Sequence, residues 1–417
     1  MSIAIGRKCH LPEFSATGSA FSTRADSARD CSLHPQVLQK TFTRTCFSLH
    51  ACETALACLL VLFVIAAGSP IVQAQLPPLQ APPSWGQVPQ GSGACSVGKT
   101  CSELAPGMIR NALGPSPIDQ EVQALTRLLS SHGDSNATGS RAADWGASAF
   151  KRAGADQVRI EKFGASSTGA NVIAEIRGRS DPRDYVLVGA LLDPGDEDPI
   201  IVARNAAMLV DAVRVIHDTG NLPRRSIRFV LFGAAGSNPR GRLTGALAYV
   251  SQHRAELERA AAALAISADG GYLDGFSLQD RPDMLARVRQ AFEPLRTFGI
   301  HDFSERMVIP TAVTPFWLEG IPSLVGTSHA ITGSGQPAAP AASTDTESGN
   351  TELQELKRCV AVASVAAYAL ADADSRIGSR RSRSEVEQSI KAMRLRRKLK
   401  AAGLWEKWNA PPTARAR

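Results

Sequence analysis

The chain has 417 residues, 44% hydrophobic and 20% charged, which is enough length and apolar content for a large globular core. Its formal net charge of +7 is unevenly placed. Residues 376–417 hold 13 Lys/Arg against 3 Asp/Glu and residues 1–74 hold 6 against 4, so the stretch between, 75–375, carries a net −5. A mildly acidic body with a basic end gives no case for a nucleic-acid-binding fold.

The first element is Thr54–Gly68 (TALACLLVLFVIAAG), an apolar run of 15 residues. A membrane span needs about 20; this length fits the apolar core of a signal peptide instead. A small-residue exit at Val72-Gln73-Ala74 predicts cleavage before Gln75, with residues 1–74 a signal peptide whose leading region is over-long. The expected destination is the periplasm or the medium, and the alternative is an uncleaved membrane anchor. Five of the eight cysteines precede that cleavage point. Cys95 and Cys101, close together in a Gly/Ser-rich stretch, suit a disulfide in an exported protein, and Cys359 reads as a buried small hydrophobe. No Cys/His zinc spacing occurs.

Residues 75–118 read as a Pro/Gly/Ser-rich linker, most plainly at Leu76–Pro89. From Asp119 the pattern changes. Residues 119–133 and 140–154 repeat apolar positions at helical spacing. Strands are predicted at Val158–Phe163, Asn171–Ile176 and Tyr185–Ala190, then a helix over Ile200–Asp218 and a strand at Ile227–Phe232. Helices at Leu243–His253 and Glu256–Ala263 lead to a strand at Leu264–Ser267. Helix Met284–Leu295, strand Ile321–Gly326 and a long Ala/Val-rich helix Glu352–Ala371 complete the domain, bounded at 119–375. Alternating strands and helices predict an α/β fold with a mixed, mostly parallel sheet sandwiched between helices. Ligands of such sheets bind where strands end, here at Ala190-Leu191, Phe232-Gly233 and Ser267-Ala268.

Around those strand ends run NVIAEIRG (171–178), GALLD (189–193), Asn205-Ala206-Ala207, RFVLFG (228–233), AYVSQHRAEL (248–257) and Asp345-Thr346 ahead of the last helix. In order and spacing this series resembles the secreted di-zinc aminopeptidase and plasma glutamate carboxypeptidase (carboxypeptidase Q) family of zinc exopeptidases. The resemblance covers roughly residues 119–372. It implies a single zinc-exopeptidase-like domain and a site built from two zinc ions, a bridging carboxylate and a glutamate base.

The ligand positions implied by the resemblance are largely replaced. Leu191 stands where the first His belongs, and Asp193 keeps the supporting Asp. Arg204 stands where the bridging Asp belongs, Ala235 and Gly236 where the Glu pair belongs, and Ala341 where the last His belongs. Asp269 is the one surviving ligand candidate. A permanent cation in place of a shared anion opposes a metal pair, so no cofactor is expected and the ancestral zinc pair is read as lost. Arg204 is expected to pair with Asp193 or Asp269, with a solvent-facing Arg204 as the alternative.

Other readings are weaker. The acidic loop Asp193–Asp198 lacks the spacing of a calcium loop, and Phe232–Ser237 lacks a full dinucleotide-binding glycine pattern. Residues 376–417 read as a basic tail in which residues 384–408 form an imperfect amphipathic helix, able to lie on an anionic membrane or to grip an acidic partner. The sequence therefore predicts an exported, catalytically inactive zinc-exopeptidase homologue whose cleft binds a peptide or protein ligand. The alternatives are a metallopeptidase or other hydrolase with a non-standard site, and an envelope- or membrane-associated protein acting through its tail.

Overall fold

Strands β1 (Gln157–Phe163), β2 (Gly169–Ile176), β3 (Asp181–Leu191), β4 (Arg225–Phe232), β5 (Ala260–Ala265), β6 (Tyr272–Ser277), β7 (Asp302–Ser304) and β8 (Ser323–His329) form one sheet in the order β1-β2-β4-β3-β5-β8-β6-β7. The computed structural model describes residues 99–131, 135–164, 168–195, 197–234, 242–269, 271–329 and 346–410. The run 54–68, the Pro-rich stretch and Cys95 lie outside them. The centre of the sheet, β4-β3-β5-β8, is parallel throughout, while β1-β2, β2-β4 and β8-β6 are antiparallel. The α/β sandwich read from the sequence is the fold observed.

Period-two geometry divides the core between the two faces. On β3, Val186 and Val188 join one apolar cluster and Tyr185 and Leu187 the other. The first cluster lies under helices α1 (Cys101–Leu113), α2 (Ile118–Leu129), α3 (Ser135–Arg152), α4 (Pro199–His217) and α9 (Thr346–Asp372). The second packs Phe232, Tyr249 and Phe316 together beneath α5 (Thr244–Gln252) and α8 (Thr314–Leu318), with ring centroids about 6 Å apart. Because both faces are covered, β5 (AAAALA) is buried at every position. The same run was expected to end a helix from Glu256. In the structure a short 3₁₀ turn, Arg254–Arg259, stops at Ala260 and the alanines pair as a strand between β3 and β8. Small side chains suit a central strand pressed between helices, so tertiary packing overrides the alanines' helix propensity.

Two boundaries differ from the sequence reading. Cys101–Leu113, assigned to the linker, is helix α1, opened by a capping box between Thr100 and Glu103 and burying Leu104, Ala105, Met108 and Ala112. Cys101 is a free thiol turned inward, Sγ to Val365 O at 3.9 Å, and its expected partner Cys95 lies outside the described residues. Burial, helped by the Asp372 carboxylate, pushes its pKa up to about 12. At the other end the basic segment is part of the domain. Helices α10 (Arg383–Ala392), α11 (Arg396–Ala401) and α12 (Trp405–Asn409) bury Val386, Ile390, Leu395, Leu399, Leu404 and Trp408 against Leu243, Met307, Trp317 and Leu318. Among the described residues no helix is long and apolar enough to cross a membrane.

Candidate functional site

The parallel strands β3, β5 and β8 end on the same side of the sheet, and a pocket of about 500 Å³ opens there. Its floor is the backbone and small side chains of Gly189, Ala190, Leu191, Ala265 and Val325. Val202 and Asn205 on α4 form one wall, Pro310, Thr311 and Ala312 another. Ala401 and Ala402, at the end of α11, line it from the C-terminal segment.

Leu191 ends β3 in register with Phe232 and is half-buried, reaching both the Tyr249 cluster and the C-terminal cluster. It serves as an apolar contact at the site's centre. Asp193 turns back on its own loop, Oδ1 accepting the Gly195 amide at 2.8 Å, where Gly195 adopts φ +54°. Asp198 caps α4 through the Ile200 amide at 3.0 Å. Glu197 pairs with Arg242, both lining the pocket. Three carboxylates of the acidic loop are thus committed to a turn, a cap and an ion pair.

Arg204 corrects the expectation placed on it. Its guanidinium pairs with Glu352 on α9, and its side chain lines a separate groove between α2 and α9 with Val122, Thr126 and Leu356. It meets neither Asp193 nor Asp269. A helical residue's direction is set by its place in the 3.6-residue turn, and on α4 it is the next residue, Asn205, that faces the pocket. Asn205 Oδ1 accepts the Ala268 amide at 2.7 Å and Nδ2 reaches Ser267 Oγ at 3.5 Å, tying α4 to the end of β5. Asp269 is exposed, with Oδ1 3.4 Å from the Gly271 amide. Ala235, Gly236 and Ala341 lie outside the described residues.

The framing motifs have a structural explanation. Asn171, fully buried, gives Nδ2 to Gly245 O at 2.9 Å and takes the Gly233 amide on Oδ1 at 3.3 Å. A Cβ on Gly233 would collide with the Ala170 carbonyl, so the chain leaving β4 passes β2 only as glycine. Asn171 of NVIAEIRG and Gly233 of RFVLFG are therefore fixed by this close approach, whatever stands at the ligand positions.

The described residues that line the pocket do not by themselves supply the ligands of a zinc pair. Glu197 is the only carboxylate among the described residues lining the pocket, it is already paired, and no His or Cys lines it. Among the described residues no group of three or more His, Cys, Asp or Glu could hold a metal.

The fold is similar to that of solved M28 peptidase structures. A peptidase M28 precursor from Shewanella amazonensis SB2B superposes with TM-score 0.53 at 14% identity, covering 68% of this chain and 98% of that one. LapA of Legionella pneumophila gives TM-score 0.52 at 16% identity over 68% and 80% of the two chains. A second structure of the LapA aminopeptidase gives 0.50 at 15% identity over 69% and 80%. No protein-family model and no curated protein sequence matches the chain.

Proposed function

We propose that the chain is an exported pseudopeptidase, an M28-type scaffold whose strand-end pocket binds a ligand without hydrolysing it. The observation that carries this reading is the pocket lining. Leu191, which the family resemblance places at the first zinc-binding His, lines it, Asn205 is engaged with the backbone and Ser267, and the one carboxylate among the described lining residues, Glu197, is paired with Arg242. No described side chain there is free to activate water as a general base. The apolar floor and the donors of Asn205 and Arg242 suit a peptide segment with an apolar side chain and a backbone carbonyl. Export is supported by the signal-like run at Thr54–Gly68 and its small-residue exit.

The test is metal analysis of the purified protein after incubation with zinc, paired with an aminopeptidase assay on leucine p-nitroanilide. Folded protein with substoichiometric zinc and no hydrolysis is expected. Two zincs per chain with turnover would overturn the proposal and favour the active metallopeptidase.

A further inference from the structure

The C-terminal segment carries a feature that the pocket does not use. Upstream, three of its arginines are neutralised by the domain: Arg376 meets Asp184 at 2.7 Å, Arg381 meets Asp280 at 3.2 Å and Arg380 meets Glu319 at 3.6 Å. Downstream the pairing stops. Arg394, Arg396, Arg397, Lys398 and Lys400 are all exposed, and among the described residues none has a carboxylate within ion-pair distance. No acidic residue occurs from 388 to 405. Leu395 and Leu399, interleaved with these cations, are buried in the domain, so the charges are held outward on a docked surface.

Two details set this face apart from an ordinary solvated run. Arg394 follows α10 in the left-handed region, φ +54°, a position that usually falls to glycine, as Gly403 shows after α11 at φ +68°. Here Arg394 holds that conformation against the backbone's preference. Trp405 is half-buried beside the cations, with the Arg396 guanidinium 5.1 Å from its ring centroid. An indole at the edge of a basic surface suits the headgroup level of a bilayer.

We infer that Arg394, Arg396, Arg397, Lys398 and Lys400, with Trp405, form a site that docks the domain onto an anionic phospholipid surface. A lipid surface is favoured over a nucleic acid by Trp405, an indole at the edge of the cations that suits the polar–apolar boundary of a bilayer, and nucleic acid is the competing outcome of the test. Since Val386, Ile390, Leu395, Leu399, Leu404 and Trp408 are consumed by the domain, binding is mainly electrostatic and weakens with salt. This inference does not depend on the pocket's chemistry.

The experiment is co-sedimentation of the full chain with phosphatidylcholine vesicles with and without phosphatidylglycerol, at low and high salt. Any contribution of the Thr54–Gly68 run is shared by both vesicle types and cancels in their ratio. Preference for the anionic vesicles is expected, falling about five-fold per cation removed in Arg396→Gln/Arg397→Gln/Lys398→Gln/Lys400→Gln. Arg394→Gly relieves the left-handed strain, so it should fold at least as stably while losing one cation's share of binding. Arg110→Gln/Arg127→Gln/Lys151→Gln, which removes three exposed cations elsewhere, should bind as wild type. The inference is overturned by a wild type without anionic preference, by equal loss in the distant triple variant, or by tighter binding to a DNA oligonucleotide at the same salt.

Discussion

Arg204 of α4 pairs with Glu352 of α9, across the helical layer and away from the strand ends. Arg204 is 15% exposed at its side chain but Glu352 is 45% exposed, so solvent screens the pair. Arg204→Ala should therefore cost only about 1 kcal/mol in urea unfolding. Arg204→Asp, which sets two carboxylates together, should cost more, and adding Glu352→Arg should recover most of the loss. No recovery in the charge-swapped protein would show that the pair does not hold α4 to α9.

The same geometry limits what restoring the ligand residues can achieve. Leu191→His faces the pocket, but an Asp at 204 would point into the α2–α9 groove. The double variant Leu191→His/Arg204→Asp should bind no more zinc than wild type in equilibrium dialysis, because a co-catalytic pair needs its ligands convergent. Stoichiometric uptake would mean that α4 can rotate its carboxylate to the strand ends.

Asn205 is the side chain that joins α4 to the site. Its bond to the Ala268 amide, a group only 5% exposed as a residue, would be lost in Asn205→Ala, leaving a buried donor without a partner. A loss of about 1–2 kcal/mol is expected. Unchanged stability, measured by the unfolding midpoint in urea, would show that water replaces the bond.

Under the other face, Arg228 bonds Glu175 at 2.9 Å and Glu256 at 2.7 Å, while His253 Nε2 lies 2.7 Å from Glu161. Burial raises the pKa of Glu161 and Glu256. The His253 and Arg159 contacts on Glu161, and those of Arg228 and His253 on Glu256, outweigh it and hold both below the usual range. Folded pKa values below the unfolded ones give stability that is present above the ordinary glutamate value of about 4.3 and is lost as pH falls through the folded values. Arg228→Met should cost about 3 kcal/mol at neutral pH, since Glu175 is left 13% exposed without its cation. It should also flatten the loss of stability on acidification below that pH. An acid limb as steep as the wild type's would remove Arg228 from the linkage.

The scaffold was legible because its signals are local. The Asn171 clamp and the passage at Gly233 require a particular residue at a particular place, and the runs of β2, β3 and β4 stand out by their hydrophobicity. The residue identities at the positions that the resemblance assigns to zinc ligands are equally plain. Where the side chain at such a position points is not legible: one position along α4 decides between the pocket and the opposite groove, so Glu352 rather than Asp193 or Asp269 holds Arg204, and Asn205 is the residue that reaches the site. The β5 alanines and the three-residue strand β7 carry too little side-chain pattern to oppose a helix or loop reading. In the C-terminal segment, one continuous helix would put Leu395 and Leu399 on the opposite side from Val386 and Ile390. The left-handed turn at Arg394 breaks that helix and brings all four into one cluster.

That break makes the segment part of the domain's stability. Leu399 is fully buried, and Trp408 gives its indole N–H to Leu318 O at 3.2 Å while the Arg383 guanidinium sits 4.3 Å from its ring centroid. Leu399→Ala should cost about 2–5 kcal/mol as a buried large-to-small change. Deleting residues 383–417 uncovers Trp317, Leu318 and Met307, and should lower the thermal midpoint and raise binding of an apolar dye. A free tail predicts the opposite, an unchanged midpoint and no new dye binding, because a solvated extension adds nothing to the folded core. Loss of stability in Leu399→Ala together with an unchanged midpoint for Lys398→Gln and Lys400→Gln would assign the fold to the leucine face and leave the cations available for binding.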